Sequence, residues 1–294
     1  MIPTMNLVAW GNTAPWAEQR QIEQDLIISR ALVELFSDEF LRAELRFRGG
    51  TALNKLHFPQ PMRYSEDIDL VRTTHGPIKD VVGRVRDILQ AWLGEAGFKQ
   101  SPVAPRLTFR VPAEDGGAPL RMKVEINTHE VEAYDSPQAI LYAVDNPWFT
   151  GQAKISTFSR EEMLATKLRA LLQRNKGRDL FDLSHALAVF QELDAARVTG
   201  LFEKYLEKSD LKISRAQAEQ RMFSKLISRG FLTDMRPLLA PAAADALTDA
   251  AAMKAFADVF TGFVIRLPGD PWVRTEEMAK RFRLFSGESE HAGR

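Results

Sequence analysis

Apolar residues recur along this chain at two different periods, and the place where one gives way to the other divides it. From Ala17 to about Phe36 they fall at helical spacing (Ile22, Leu26, Ala31, Leu35), which predicts a long amphipathic helix. A short extended run, Leu45 to Phe47, then leads into two glycines. "TALNKLHF" reads as one or two helical turns, and "EDIDLVR" alternates strictly, the signature of a strand. Residues 77–96 return to helical periodicity. "RLTFRV" and "LRMKVEINT" alternate on either side of the turn-rich "PAEDGGAP" and predict a hairpin.

After Ser159 the alternation stops, and helical segments follow one another to about Leu267. "SREE" fits a capping box, with Ser159 as N-cap and Glu162 reaching back, opening a helix expected to end at Gly177. Further helices are expected from near Arg178, Asp194 and Ser214, and over 248–266. The Ala-rich "APAAADALTDAAAMKAFA" also reads as helix, and the final "GESEHAGR" as a frayed end. The expected organisation is a mixed domain over 1–158 and a helical domain over 159–294.

Composition narrows the class. With 294 residues, 45% hydrophobic and 27% charged, the chain is long enough for two folded lobes. Its net charge of zero provides no global attraction for nucleic acid, so such a partner must be held by local patches. Two basic stretches qualify. One carries Lys167, Arg169, Arg174, Lys176 and Arg178; the other carries Arg215, Arg221, Lys225, Arg229 and Arg236. The absence of cysteine excludes disulfides, thiol nucleophiles and the common structural zinc sites. The five histidines, at 57, 75, 129, 185 and 291, never fall at a metal-ligand spacing. No secretory leader pattern and no run of about 18 apolar residues occurs, so the expectation is a cytoplasmic protein with no membrane partner.

Alternate side chains of a strand share a face, so Asp67 and Asp69 project together while Ile68 and Leu70 point inward. Two like charges this close call for a cation between them. Hard carboxylate oxygens suit Mg²⁺, which takes one or two carboxylates and completes its shell with water and phosphate. Glu125, on one face of its strand with Lys123 and Asn127, offers a third acid. Three acids on neighbouring strands could hold the two ions used in phosphoryl transfer. Gly49 and Gly50 permit a tight turn close to a phosphate, and Thr51 adds a hydroxyl at a helix start. A phosphate cradle beside a metal cradle implies a nucleoside triphosphate. Taken singly, each motif also fits solvated carboxylates or a plain turn.

Two charges sit on the wrong arc of their helices. Glu162, Thr166, Arg169 and Gln173 mark the expected solvent face of the helix after Ser159, but Lys167 lies on the core-facing arc, as Asp182 does on the next helix. A buried ammonium is costly unless paired, so an anion is expected at Lys167. It is either Asp182 itself, in an interhelical salt bridge, or the triphosphate, with Asp182 orienting the lysine.

"RGGTALNKLHF…RYSEDIDL", "KVEIN" and "EEMLATKLRALLQRNKGRDLFDL" resemble, in order, the motifs of the AbiEii/AbiGii-type nucleotidyltransferase toxins, the MenT-like group included. The resemblance spans roughly residues 45–190. It implies an α+β fold: a DNA polymerase beta-like nucleotidyltransferase domain with a mixed sheet, followed by a helical C-terminal domain. It also implies the toxin half of a toxin–antitoxin pair, with a cognate antitoxin as partner, transferring a nucleotide from an NTP to the 3′ acceptor end of tRNA and so blocking translation. By motif, Asp67 and Asp69 are similar to the family's metal pair, Ser65 to its phosphate-contacting hydroxyl, Lys167 to its essential lysine and Asp182 to its late aspartate. Arg178 and Asp179 belong to the last motif as possible supporting residues. Gly50-Thr51 departs from the Gly-Ser common in this fold but retains the hydroxyl. Two rival readings accompany this one: the same chemistry on a protein or an aminoglycoside-like small molecule, and a non-catalytic binding protein.

Overall fold

The alternating segments of the first half assemble into one seven-stranded mixed sheet, in the order β3-β4-β5-β2-β1-β7-β6. The strands are β1 (Leu45–Arg48), β2 (Asp67–Arg72), β3 (Ala96–Lys99), β4 (Arg106–Val111), β5 (Leu120–Asn127), β6 (Gln138–Asn146) and β7 (Phe149–Thr157). β2 runs antiparallel to β1 but parallel to β5, and β1 runs parallel to β7. The computed structural model describes residues 2–285. The chain divides into two compact units, Met1–Met163 with Leu238–Ala243, and Leu164–Pro237 with Ala244–Arg294.

In the first unit, alternation sorts the sheet into a covered face and an open one. Ile68, Leu70, Leu107, Phe109, Val124 and Ile126 are at most 1% exposed. The helices α2 (Gln19–Ser37) and α5 (Lys79–Leu93) pack on this part of the sheet. Each such side chain removed from water contributes roughly 1.5–3 kcal/mol. Asp67, Asp69, Lys123 and Glu125 occupy the opposite face, where all four are half-buried.

The expected hairpin is present as β4–β5, in register from Arg106↔Glu125 to Val111↔Leu120. A second hairpin, β6–β7, pairs from Gln138↔Thr157 to Asn146↔Phe149 and was not foreseen. Its apolar residues lie on both faces, Leu141 being 60% exposed, so no clean period of two is written there. A short N-terminal helix, α1 (Thr4–Trp10), is likewise additional. The indole N–H groups of Trp10 and Trp16 donate to the buried Asp25 on α2, at 2.9 and 3.2 Å, and Lys55 Nζ donates to it at 2.9 Å. After α3 (Glu39–Glu44) the chain enters β1. Residues 238–243 return to this unit, where Tyr64 N donates to Leu238 O at 2.7 Å and Arg63 bridges Leu239.

The helix α6 (Arg160–Gln173) starts as expected at Ser159, whose Oγ accepts from Glu162 N at 3.1 Å. Glu162 is not on a solvent face, however. It is fully buried, and its carboxylate accepts from the amides of Tyr134 and Asp135 at 2.9 and 3.1 Å, fastening the helix start to that loop. The expected stop at Gly177 also needs correction, because Gly177 is the first residue of α7 (Gly177–Val189). A Cβ there would lie 2.0 Å from Phe231 O, and its N–H donates to the Asp234 carboxylate. This glycine serves a close backbone approach, not a helix end.

The second unit continues with α8 (Ala195–Glu207) and α9 (Arg215–Ile227). The Ala-rich stretch forms α10 (Pro241–Ala246) and α11 (Asp249–Gly262), broken where Thr248 Oγ1 accepts from Ala251 N. Then comes α12 (Thr275–Arg281). Phe223, Phe256 and Phe260 are buried together, with ring centroids 5.3–6.1 Å apart. The "GESEHAGR" tail, with His291, lies outside the described residues.

Candidate active site

The turn after β1 is shaped around Asp69. Gly49 has φ +87°, and a Cβ on it would lie 2.3 Å from Asp69 Oδ2, so two independent constraints require glycine. The chain then makes α4 (Gly49–Ala52), which runs on as a π-turn over Leu53–His57. Asn54 fixes this turn by donating to Gly50 O at 3.0 Å and accepting from Met62 N at 3.0 Å. Thr51 is 2% exposed, and its Oγ1 lies 2.5 Å from Asp67 O and 2.8 Å from Ser65 Oγ. A hydroxyl has one proton, so Thr51 donates to the carbonyl and Ser65 donates to Thr51. The Thr51 hydroxyl thus ties the glycine turn to β2, and the half-buried Ser65 is the more accessible of the two.

On the open face, strand register sets the neighbours of each aspartate. Asp69 stands opposite Arg48 of β1 on one side and Glu125 of β5 on the other. Asp67 stands opposite Lys123, whose Nζ lies 3.1 Å from Asp67 Oδ1. Glu125 accepts from Arg106 Nε at 3.0 Å and from its terminal nitrogen at 2.7 Å, while Arg48 pairs with Glu130 at 2.9 Å. Asp67, Asp69 and Glu125 therefore share one face, but each aspartate or glutamate has a cationic neighbour in its row. Arg106, Lys123 and Arg48 were not foreseen as parts of the site. Alternation within "RLTFRV" gives the face of Arg106, but only the strand register pairs it with Glu125.

Among the described residues no group of three His, Cys, Asp or Glu is close enough to hold a metal ion. Two carboxylates at alternate positions of one strand, half-open to solvent, suit Mg²⁺ that completes its shell with water and substrate phosphate, and not an ion in an all-protein cage.

In the second unit the misplaced charges find each other. Lys167 is 6% exposed, with Nζ 2.8 Å from Asp182 Oδ2 and 3.3 Å from Asp179 Oδ1. Arg174 adds a two-pronged contact to Asp179, at 2.6 and 2.8 Å. Burial alone would raise the Asp179 pKa. The Lys167 charge and the Arg174 hydrogen bond outweigh it, against the opposing charge of Asp182, and hold the carboxyl below its usual range. Lys225 donates to Arg174 O at 2.7 Å, and burial lowers its pKa. Arg178 is half-buried at the start of α7. The sequence pointed to Asp182 as the partner of Lys167 but not to Asp179, although positions i and i+3 of one helix share a face.

A mixed sheet that carries paired carboxylates on its open face beside a glycine turn, joined to a helical unit, is the architecture of a nucleotidyltransferase. The chain belongs to the nucleotidyl transferase AbiEii toxin family of type IV toxin–antitoxin systems, whose family model matches residues 30–261. The fold is similar to that of MenT4, a nucleotidyltransferase toxin from Mycobacterium tuberculosis H37Rv, with 16% identity and a TM-score of 0.61 over 96% of this chain and 99% of that one. It is also similar to JHP933 from Helicobacter pylori, with 19% identity and a TM-score of 0.50 over 84% of this chain and 95% of that one. At these identities the likeness concerns the fold. A search of curated proteins finds no match. The protein is accordingly a nucleotidyltransferase enzyme of the toxin–antitoxin class; the family implies an NTP substrate and an antitoxin partner, and its enzymes generally use a divalent metal. Among the described residues no helix is long and apolar enough to cross a membrane.

Proposed function

We propose that this toxin transfers a nucleotide from an NTP to the 3′-hydroxyl of tRNA in a Mg²⁺-dependent reaction, and that it acts in the cytoplasm by blocking translation. The observation that carries the proposal is the fit of Asp69 against Gly49, with Asp67 on the same open face. Asp67 and Asp69 would hold the metal, with Glu125 joining if Arg106 releases it. Bound there, Mg²⁺ supplies neutralising charge for the phosphates and the leaving group. Gly49, Gly50 and Ser65 border the triphosphate, and Thr51 holds the turn in place. The acceptor oxygen forms a bond to the α-phosphorus as the bond to the bridging oxygen of pyrophosphate breaks, and the hydroxyl proton leaves to solvent or a nearby carboxylate.

Lys167 and Asp182 enter as residues the reaction needs, with Asp179 and Arg178 supporting them. Contact between Lys167 and a triphosphate requires its ammonium to be shared with, or released from, Asp179 and Asp182. A cationic neighbourhood around the aspartates favours a polyanionic acceptor over an aminoglycoside.

The test incubates folded protein with Mg²⁺, unfractionated tRNA and each labelled NTP in turn. Label at the tRNA 3′ end is the expected result. Label on protein or on a small molecule instead overturns the choice of acceptor, and no transfer with any NTP overturns the reading.

A further inference from the structure

The open face of the sheet does not end at the carboxylates. Strand register extends the row of Asp69 and Glu125 to Arg106 on β4 and Lys99 on β3. The next row runs from Asp67 through Lys123 to Thr108. The row beyond places Arg110 directly opposite Arg121. Lys99, Arg110 and Arg121 are exposed, and among the described residues none of the three meets a carboxylate. Lys99, Arg106, Thr108, Arg110 and Arg121 line one shallow depression of about 540 Å³, and Glu95 is the one acid that lines it with them.

Two guanidinium groups facing each other across adjacent strands repel, and such a pair destabilises a sheet. A protein of zero net charge has no general surplus of cations to explain this concentration. An anionic occupant would convert the repulsion into binding. On β5 Arg121 and Lys123 stand two residues apart, about 6.8 Å, which is comparable to the spacing of successive phosphates in a nucleic-acid strand, and on β4 Thr108 takes the position between Arg106 and Arg110. The rows also lead directly to Asp67 and Asp69, where the transferred nucleotide must meet its acceptor.

We infer that the open face of β3, β4 and β5 grips the phosphates of the acceptor RNA and leads its 3′ end toward Asp67 and Asp69. The inference rests on the proposed transfer to tRNA. Arg110 and Arg121 form the far grip, Lys99 flanks them and Thr108 donates a hydroxyl between the rows. Lys123, already beside Asp67, marks where the grip passes into the reaction site. The contacts are to backbone phosphate and leave RNA sequence unread.

The test compares full-length Asp69→Asn with the same chain carrying Arg110→Ser and Arg121→Ser, using 5′-labelled unfractionated tRNA and fluorescence anisotropy over a salt series. The triple variant is expected to bind about tenfold more weakly at low salt, with the slope of log affinity against log salt reduced by about two. Its thermal midpoint is expected to be unchanged or slightly higher, because a like-charge pair has been removed. With Asp69 intact, the Arg110→Ser/Arg121→Ser chain is expected to bind Mg-ATP as the wild-type chain does, which separates loss of RNA from loss of the nucleotide site. Equal tRNA affinity and slope in the two proteins overturns the inference, as does a wild-type chain that binds no tRNA at low salt. Salt-dependent tRNA binding that needs Arg110 and Arg121, without nucleotide transfer by the wild-type chain, would leave this surface standing and refute the transfer reaction instead.

Discussion

On the open sheet face the Asp67 and Glu125 side chains keep 37% and 36% of their surface exposed, whereas those of Asp179 and Asp182 in the second unit keep none. Both groups join carboxylates to Lys and Arg, yet solvent changes what each pairing means. At the sheet, water screens the Lys123–Asp67 and Arg106–Glu125 contacts, so each contributes little and exchanges readily. In the helical unit Lys167, Asp179 and Asp182 close on one another out of water, with the half-exposed Arg174 at their rim, and removing one of the buried three leaves buried charge poorly compensated. The open group is built to change partners, and the closed group is built to keep them.

The largest expected effect breaks the open group. Asp69→Asn and Asp67→Asn remove the charge that, on the proposed reading, holds the metal and supplies several kcal/mol at the transition state, so nucleotide transfer should fall roughly a thousandfold or more. The thermal midpoint should stay close to wild type, because these carboxylates are not part of the core. A large fall in midpoint would show that the open group is structural after all.

The next effect breaks the closed group. Asp182→Ala leaves Lys167 buried with only the longer contact to Asp179 and should lose about 3–5 kcal/mol in urea unfolding. The double variant Lys167→Met/Asp182→Leu replaces the pair with apolar groups and should recover most of that loss. Activity then separates two roles. If the Lys167 ammonium takes part in the reaction, the double variant is stable and inactive; if it only holds α6 to α7, activity returns with stability.

Both groups were partly legible in the sequence, for local reasons. Asp67 and Asp69 could be placed on one face because strand alternation is a property of the strand itself, and Lys167 and Asp182 because helical phase is a property of the helix. Long-range closure is not written locally. No spacing within the chain says that Arg106 will stand opposite Glu125, or that Lys123 will meet Asp67, because register depends on how separate strands pair. The same limit hid the return of residues 238–243 to the first unit and the approach of Phe231 to Gly177. The β6–β7 hairpin was missed because its outer face carries Leu141 where a polar residue would have marked the period.

A titration separates burial with a partner from burial without one. His57 Nε2 is buried and has no hydrogen-bond partner among the described residues; burial, with Arg160 nearby, lowers its pKa to about 4. The folded state therefore disfavours the proton while the unfolded chain accepts it near 6.5. The His57 contribution is neutral above pH 6.5, and stability falls as pH drops from there toward 4, by up to about 3 kcal/mol. Asp179, also lowered but through its partners, acts in a separate window. Its contribution holds above the ordinary carboxylate range and is lost only as pH falls below it. Urea midpoints measured across both windows should show two acid phases; His185, whose pKa burial also lowers against the charge of Asp182, shares the upper one, so His57→Leu should reduce the upper phase and leave the lower unchanged.

The smallest effect sharpens the comparison at its weakest contact. Arg106 holds Glu125 by two nitrogens, but both side chains are more than a third exposed, so the pair contributes less than about 1 kcal/mol. Arg106→Gln should leave the thermal midpoint within experimental error. It should free Glu125 to join Asp69, its neighbour in register, and lower the Mg²⁺ concentration needed for half-maximal transfer about two- to fivefold, the range such a pair energy allows. The assay is run at saturating tRNA, so that a weaker grip on RNA does not mask the change. An unchanged Mg²⁺ requirement would exclude Glu125 from the metal site and leave Asp67 and Asp69 as its only carboxylates. A raised requirement would mean that Arg106 supports the site directly, and the open group would then be less exchangeable than its exposure implies.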